Sequence, residues 1–395
     1  MRPLRASDRV ARHAQILSTQ MRAMREAMFP PKAQKSLRTF TSLEVARLLG
    51  VTDNHLRYMS SNGIGPIPDL SSNGRRAYRL GQVNELRDHF ALNPLHEVTR
   101  FSHRRLPGEA LQVVAVANFK GGSAKTTTSL YLAQYLALQG LRVLAIDLDP
   151  QASLSALFGY QPEFDIGPNE TLYGAIRYDG ERRPMREVVR RTYFDGISLV
   201  PGNLELMEFE HETPRAMQDR SKRGRELFFR RVRSAIDEVG DDYDVVVIDC
   251  PPQLGFLTVG ALNAATGLLV TIHPQMVDLA SMSQFLLMTS DLLHVVEEAG
   301  GSLDLDFIRY VVTRHDPNDG PETQIVALLR QLFGEDVLGA TAWKSTAIAN
   351  AGLTKQSLYE IDRASVGRTA YDRALASVDG VNLEIFRLMK KVWGR

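Results

Sequence analysis

A single cysteine, Cys250, stands in a chain of 395 residues. That excludes a disulfide framework within the chain and leaves no Cys-rich metal site that one copy could build. Long apolar runs are missing too. No stretch approaches the roughly 18 consecutive apolar residues that cross a bilayer, so no membrane span is expected. The first thirty residues carry arginines throughout and hold no continuous apolar segment, so no signal peptide is expected and the cytoplasm is the default compartment. No internal repeat or low-complexity tract is visible. What remains is an ordinary globular composition, 44% hydrophobic and 24% charged, at a length that suits two or three domains.

The formal net charge of +1 conceals a division. Residues 1–110 hold 18 Lys and Arg against 9 Asp and Glu, leaving 29 of the 47 basic and 37 of the 46 acidic residues to the remainder. A basic N-terminal part beside an acidic remainder points to a polyanionic partner for the former.

Residues 9–29 read as one helix, with Val10, Ile16, Leu17, Met21, Met24 and Met28 at roughly helical spacing and Phe29-Pro30-Pro31 as its stop. An isolated helix of this length is marginal in water, so it is expected to pack on its own chain or on a partner subunit. Residues 36–92 read as a winged helix-turn-helix. Thr41 or Ser42 can cap a first helix, Gly50 permits the sharp turn, Thr52 caps a second helix, and small Ala46 lets the two cross closely. Leu43, Leu48, Val51 and Leu56 are expected to form the apolar joint. The second helix would expose Asn54, His55, Arg57 and Tyr58, residue types that read grooves and hold phosphates. The basic string Gly74 to Arg79, after a Ser72-Asn73-Gly74 turn, suits a wing, with Arg75 and Arg76 on the DNA backbone. Asn93-Pro94 and Leu106-Pro107-Gly108 are turn formers that mark a linker over 93–110.

From residue 111 onward strand-like runs alternate with helical patterns. The runs are 113–117, 143–147, 197–201, 245–249, 267–272 and 307–313, and their alternation implies an α/β fold with a mostly parallel, doubly wound sheet. Between the first run and a helix beginning near residue 125 lies Asn118-Phe119-Lys120-Gly121-Gly122-Ser123-Ala124-Lys125-Thr126-Thr127. Strand, Gly-rich turn and helix in that order make a phosphate cradle, because a helix N-terminus offers free N–H groups and partial positive charge. Lys125 can reach β- and γ-phosphates, and the Thr126 hydroxyl can ligate Mg²⁺. Phe119 and Ala124 occupy the two positions where the usual pattern has glycine. Ala124 is tolerable there if its backbone is right-handed helical. Two further strands end in carboxylates, at Asp147-Leu148-Asp149-Pro150-Gln151 and at Asp249-Cys250-Pro251-Pro252. In an open α/β sheet such strand ends gather at one ligand site, and oxygen ligands suit Mg²⁺.

These strings resemble the deviant Walker A motif and the switch motifs of the ParA/MinD ATPases. With the leading helix and the helix-turn-helix, which is similar to the MerR type, the whole chain resembles the larger ParA partition ATPases of low-copy plasmids, nearest to those of repABC-type replicons. The lone cysteine argues against the iron–sulfur members of the wider group. The resemblance implies three domains: a dimerisation helix over 1–35, a winged helix-turn-helix with linker over 36–105, and an ATPase over 106–395. It implies ATP/ADP and Mg²⁺ as cofactors, with the loop from Lys120 through Gly121, Gly122, Ser123, Ala124, Lys125 and Thr126 to Thr127 on the nucleotide. Lys120 would reach a partner's nucleotide, Asp149 would position the attacking water, and Asp249 would hold Mg²⁺ through water. It further implies a slow ATPase whose ATP-bound sandwich homodimer binds DNA without sequence preference, a ParB-type partner that triggers hydrolysis, and an ADP form that represses its own operon through the N-terminal domain. The protein would then be cytoplasmic and associated with nucleoid DNA.

Three segments remain open at this level. Arg220, Lys222, Arg223, Arg225, Arg230, Arg231 and Arg233 read as a solvated amphipathic helix or as a nucleoid-DNA surface. Lys344 and Lys355, with Arg363, Arg368 and Arg373, form a basic set in the region that such ATPases use on random DNA. Val381 to Trp393 fits a helix docked on the core, or else the membrane-targeting helix of a MinD relative. A nucleotide-sensing repressor and a MinD-like membrane ATPase are the alternative functions.

Overall fold

A computed structural model describes residues 6–28, 35–71, 74–92, 98–118, 120–218, 227–301 and 304–395. The chain divides into two units at Ser36. The first contains helix α1 (Ala6–Met28), on which Val10, Ile16 and Leu17 are exposed. The side chains of Met21, Met24 and Met28, and the stop at Phe29-Pro30-Pro31, lie outside the described residues.

The second unit begins with β1 (Phe40–Thr41), α2 (Ser42–Leu49) and α3 (Asp53–Ser61). Thr41 caps α2 in a reciprocal box: its hydroxyl accepts from Glu44 N, and the Glu44 carboxylate accepts from Thr41 N. Gly50, with φ 65°, makes the left-handed turn out of α2, and Thr52 accepts from His55 N to start α3. The joint between the helices differs from expectation at Leu43, which is 53% exposed, while Val45, Ala46, Leu49, Leu56 and Met59 are buried. Leu43 lies in the first turn of α2, and the buried positions begin two residues later, at Val45. β2 (Asp69–Leu70) and β3 (Arg76–Tyr78) pair antiparallel, with β1 on the other side of β3. Helix α4 (Leu80–Ala91) follows. Ser72, Asn73, Asn93 and Pro94 lie outside the described residues.

All six expected strands are present, as β4 (Gln112–Ala117), β5 (Val143–Asp147), β7 (Ile197–Val200), β8 (Val245–Asp249), β9 (Gly267–Ile272) and β10 (Phe307–Val312). They form a parallel sheet in the order β10-β9-β4-β8-β5-β7, closed at one edge by a short antiparallel β6 (Arg190–Arg191). The inner strands β4, β5, β8 and β9 are buried at every position. Continuous Val, Ile, Leu and Ala runs are what a sheet covered on both faces requires. Helix α6 (Lys125–Leu138) leaves the end of β4 and is buried from Ser129 to Leu138, after a short α5 (Val98–Phe101) earlier in the chain.

The stretch read as a linker is packed rather than free. Phe101 is buried, and Arg105 donates to Gly240 O and to the Asp244 carboxylate. One core runs continuously from Phe40, Val45 and Leu86 to the α6 face of the sheet. The C-terminal helix Arg368–Val392 buries Tyr371, Val378, Val381, Ile385, Phe386 and Met389, so the docked reading holds. Among the described residues one helix, Met276–Glu298, is by length and composition alone apolar enough to cross a membrane. Ser, Thr, Gln and Asp interrupt its apolar runs, so it holds no 18 consecutive apolar residues.

Candidate functional site

The turn after β4 is tied down from several strands at once. Asn118 Nδ2 donates to Thr271 O on β9, and Asn118 Oδ1 accepts from Lys120 N at 2.9 Å. The Thr271 hydroxyl donates to Ser123 Oγ (3.0 Å), and Thr313 beyond β10 donates to Ser123 O (3.1 Å). Gly122 is left-handed, φ 79°, and a Cβ at either Gly121 or Gly122 would meet nothing within 4 Å. The glycines thus leave an open backbone surface of the kind a phosphate occupies. Phe119 lies outside the described residues.

Ala124 departs from expectation. Its φ and ψ are 67° and 26°, left-handed rather than right-handed helical. A Cβ in that region costs about 1–2 kcal/mol, and strain of this kind concentrates at working sites. The loop therefore keeps the glycine conformation without the glycine. Lys125 follows at the first position of α6, 7% exposed, with its ammonium donating to Lys120 O at 3.2 Å. Desolvation lowers its pKa, with Asp249, Cys250 and Asp149 opposing the shift.

The two carboxylate strands end beside this lysine. Asp249 is wholly buried; Ser129 of α6 donates to its Oδ1 at 3.1 Å, while its Oδ2 has no partner. Burial first, and the neighbouring Asp147 second, raise its pKa, with Thr126 and Ser129 lowering it. A buried carboxylate oxygen without a partner, beside a threonine hydroxyl and a lysine, fits the donor set Mg²⁺ needs. Asp147 is used differently: it accepts from Ser155 N (2.8 Å), Ser155 Oγ (2.7 Å) and Asp149 N (3.2 Å), so it shapes the turn. Asp149 is partly exposed and accepts from Gln151 N at 2.9 Å.

Lys120 forms an ion pair with Asp278, in the first turn of the helix Met276–Glu298. The other Asp278 oxygen faces His273 Nδ1 at 3.3 Å, and His273 Nε2 faces Glu322 at 3.7 Å. Arg314, itself left-handed with φ 54°, donates to Gly122 O at 3.3 Å. Sequence reasoning missed Asp278, Arg314, Thr313 and Ser129; of these only Ser129, one turn along α6 from Lys125, carried a local signal.

The candidate DNA residues fall elsewhere. Asn54, Arg57 and Tyr58 are exposed on α3, with Arg57 paired to Asp53 one turn earlier at 2.6 Å. Arg75 is exposed, whereas Arg76 donates to Ser60 Oγ (3.1 Å) and Ser61 Oγ (3.2 Å) at the end of α3. Lys344 is exposed, while Lys355 is half-buried with φ 54°. Arg363 pairs with Asp372, and Arg373 lies over the Trp343 ring. Of the basic run before β8, Arg220, Lys222, Arg223 and Arg225 lie outside the described residues. Arg231 is buried, donating to Ile176 O and Arg177 O, so it is not part of a solvated face.

A family model described as an AAA domain matches residues 111–298. A Rhizobium rhizogenes protein named "Putative replication protein A" is 53% identical over 97% of this chain and 95% of its own length. The chromosome partitioning protein ParA of Caulobacter vibrioides is 31% identical over 66% of this chain and 91% of its length. The chain belongs to the ParA-type partition ATPases. A solved structure named "Partition Protein" shares the fold with a TM-score of 0.65 at 20% identity, covering 95% of this chain and 98% of that one. The homology supports a role in plasmid partition.

Proposed function

We propose that this ParA-type protein is an ATP-driven DNA segregation ATPase. Its ATP-bound sandwich dimer binds DNA without sequence preference, and a ParB-type centromere-binding partner stimulates hydrolysis. The ADP form binds operator DNA through the N-terminal region and represses its own operon. The observation that carries this reading is the convergence of the phosphate loop, Asp149 and the unpartnered Asp249 Oδ2 at the carboxyl ends of the central strands β4, β5 and β8.

In this reading the nucleotide phosphates lie against residues 120–127. Gly121, Gly122, Ser123, Ala124 and Thr127 offer backbone N–H groups, and Lys125 neutralises the β- and γ-phosphates. Thr126 would hold Mg²⁺ directly and Asp249 through water, and the ion would supply neutralisation of developing charge. Asp149 orients the attacking water, and Lys120 exchanges Asp278 for the nucleotide of the partner subunit. Phosphoryl transfer is mostly positioning and charge stabilisation, so no strong general base is needed. Asn54, Arg57 and Tyr58 read the operator while Arg75 and Arg76 hold its backbone. Lys344 and Lys355 meet random DNA. The division of labour is 1–35 for dimerisation, 36–105 for operator binding and 106–395 for hydrolysis, in a cytoplasmic protein carried on nucleoid DNA without a membrane. The deciding measurement is the ATPase rate alone, with random duplex, and with duplex plus a ParB-type protein. Stepwise stimulation is expected, and a rate indifferent to both additions overturns the reading.

A further inference from the structure

The far end of the nucleotide helix is held by a residue from the N-terminal part of the chain. Arg87 on α4 is 3% exposed. Its Nη2 donates to Leu138 O, the last residue of α6, at 2.6 Å and to Leu48 O in the last turn of α2 at 3.2 Å. The last carbonyls of a helix have no intrahelical partner, and a basic side chain is a favourable cap for them. Here one planar guanidinium caps two helices from different parts of the fold. The fit is built rather than incidental. Gly140 has φ 88°, and a Cβ on it would lie 2.7 Å from Arg87 Cδ, so the side chain runs through space that only glycine leaves. The Arg87 Nε is buried without a partner. Burial pushes the Arg87 guanidinium below its ordinary value, and Asp88, its neighbour in sequence, opposes that shift. Such a junction tolerates little displacement of either carbonyl, because a buried charge that loses its acceptors is costly.

At its other end α6 begins with Lys125 and the strained Ala124. Its fourteen residues span about 21 Å and are buried nearly throughout, so the helix moves as a rod. We propose that Arg87 is a positioning residue that couples the phosphate loop to the α2–α3 helix pair, transmitting a shift of α6 to α2 through the two carbonyls it joins. In the reading that α3 binds operator DNA, on which the functional meaning rests, this is how nucleotide state reaches the operator-binding surface.

The test uses the full chain as wild type, Arg87→Met and Arg87→Lys, the last keeping the charge but lacking the planar guanidinium whose Nη2 meets both carbonyls. Nucleotide affinity and thermal melting are measured first, then hydrogen exchange of the amides from Ala46 to Val51 with and without Mg-ADP. The wild type is expected to change exchange there by about fivefold or more on binding nucleotide. Both variants should bind nucleotide with affinity within about twofold of wild type yet lose most of that change. If Arg87→Met does not fold, Arg87→Lys carries the comparison. A wild type in which nucleotide leaves those amides unchanged overturns the proposal, as does a folded variant that keeps the wild-type response. Operator binding with and without Mg-ADP separates the two readings. A relay seen by exchange in a protein that binds no operator leaves the coupling standing and removes its DNA meaning.

Discussion

At the scale of single residues the two lysines of the phosphate loop are predicted to fail in different ways. Lys125 is buried under the loop and its ammonium is held by Lys120 O, so Lys125→Ala should abolish productive ATP binding. Lys120 is partly exposed and paired with Asp278, so Lys120→Ala should keep nucleotide contact in the monomer and lose the ATP-dependent dimer. Sedimentation with a non-hydrolysable analogue distinguishes them, and a Lys120 variant that dimerises normally around nucleotide refutes the cross-subunit role. Asp249 gives a pH signature. Its pKa is raised, chiefly by burial, so the protonated form is favoured in the folded apo protein. The stability it allows is present in full below the ordinary carboxylate range and is lost as pH rises through the raised value. Melting temperature of the apo protein should therefore fall toward alkaline pH, and Asp249→Asn should flatten that slope. Filling the site with Mg-nucleotide should expel protons, seen as a dependence of binding heat on buffer ionisation enthalpy. An identical heat in every buffer would falsify the assignment.

Secondary-structure elements were the most legible part of the sequence, for local reasons. The inner strands announce themselves by continuous β-branched and aliphatic runs. The first helix pair announces itself by Thr41 with Glu44, by Gly50 and by Thr52, each of which acts within four residues. What was not legible depends on distant partners. The Ala124 backbone is left-handed although nothing in its own side chain asks for it. Asp278 acquires its role only because β9 lies beside β4 and so brings it to Lys120. Leu43 looks like a core residue by type and is turned outward by its place in the first turn of α2. The same distinction governs the proposed DNA surfaces. Arg57 is exposed on α3 apart from its pairing with Asp53, a pairing that costs little to exchange at a surface. If Arg57 reads a base, Arg57→Ala should cost about 1–3 kcal/mol on operator DNA. Arg75→Ala should weaken binding evenly across sequences and flatten the salt dependence by about one unit of slope. Arg76 is engaged by Ser60 and Ser61, so its loss should perturb the end of α3 as well as any phosphate contact. Lys344→Ala should matter for ATP-dependent binding to random duplex and little for operator. Salt titrations on both duplexes, with ADP and with an ATP analogue, check this. Operator binding that survives Arg57→Ala and fails with Lys344→Ala would reverse the assignment of the two surfaces.

For the whole molecule the open question is what α1 does. It belongs to a unit of its own, Met1–Ser36. Val10 and Leu17, seven residues apart and so two turns along one face, are both exposed, as is Ile16. A helix of 23 residues is only marginally stable alone in water, and an apolar stripe along it is stabilising only when something covers it. A second copy of α1 satisfies that need symmetrically, since a two-fold interface pairs the same patch on both subunits. The expectation is a nucleotide-independent dimer held by α1 alongside the ATP-dependent one held near Lys120. Deleting residues 1–35 should then yield a folded protein that binds ATP normally but is monomeric without nucleotide and binds a two-fold operator much more weakly. Val10→Asp with Leu17→Asp should reproduce this without shortening the chain. Analytical ultracentrifugation of the apo and analogue-bound forms decides the matter. If both variants sediment as dimers without nucleotide, α1 packs on its own chain and the operator-binding form is assembled by other surfaces.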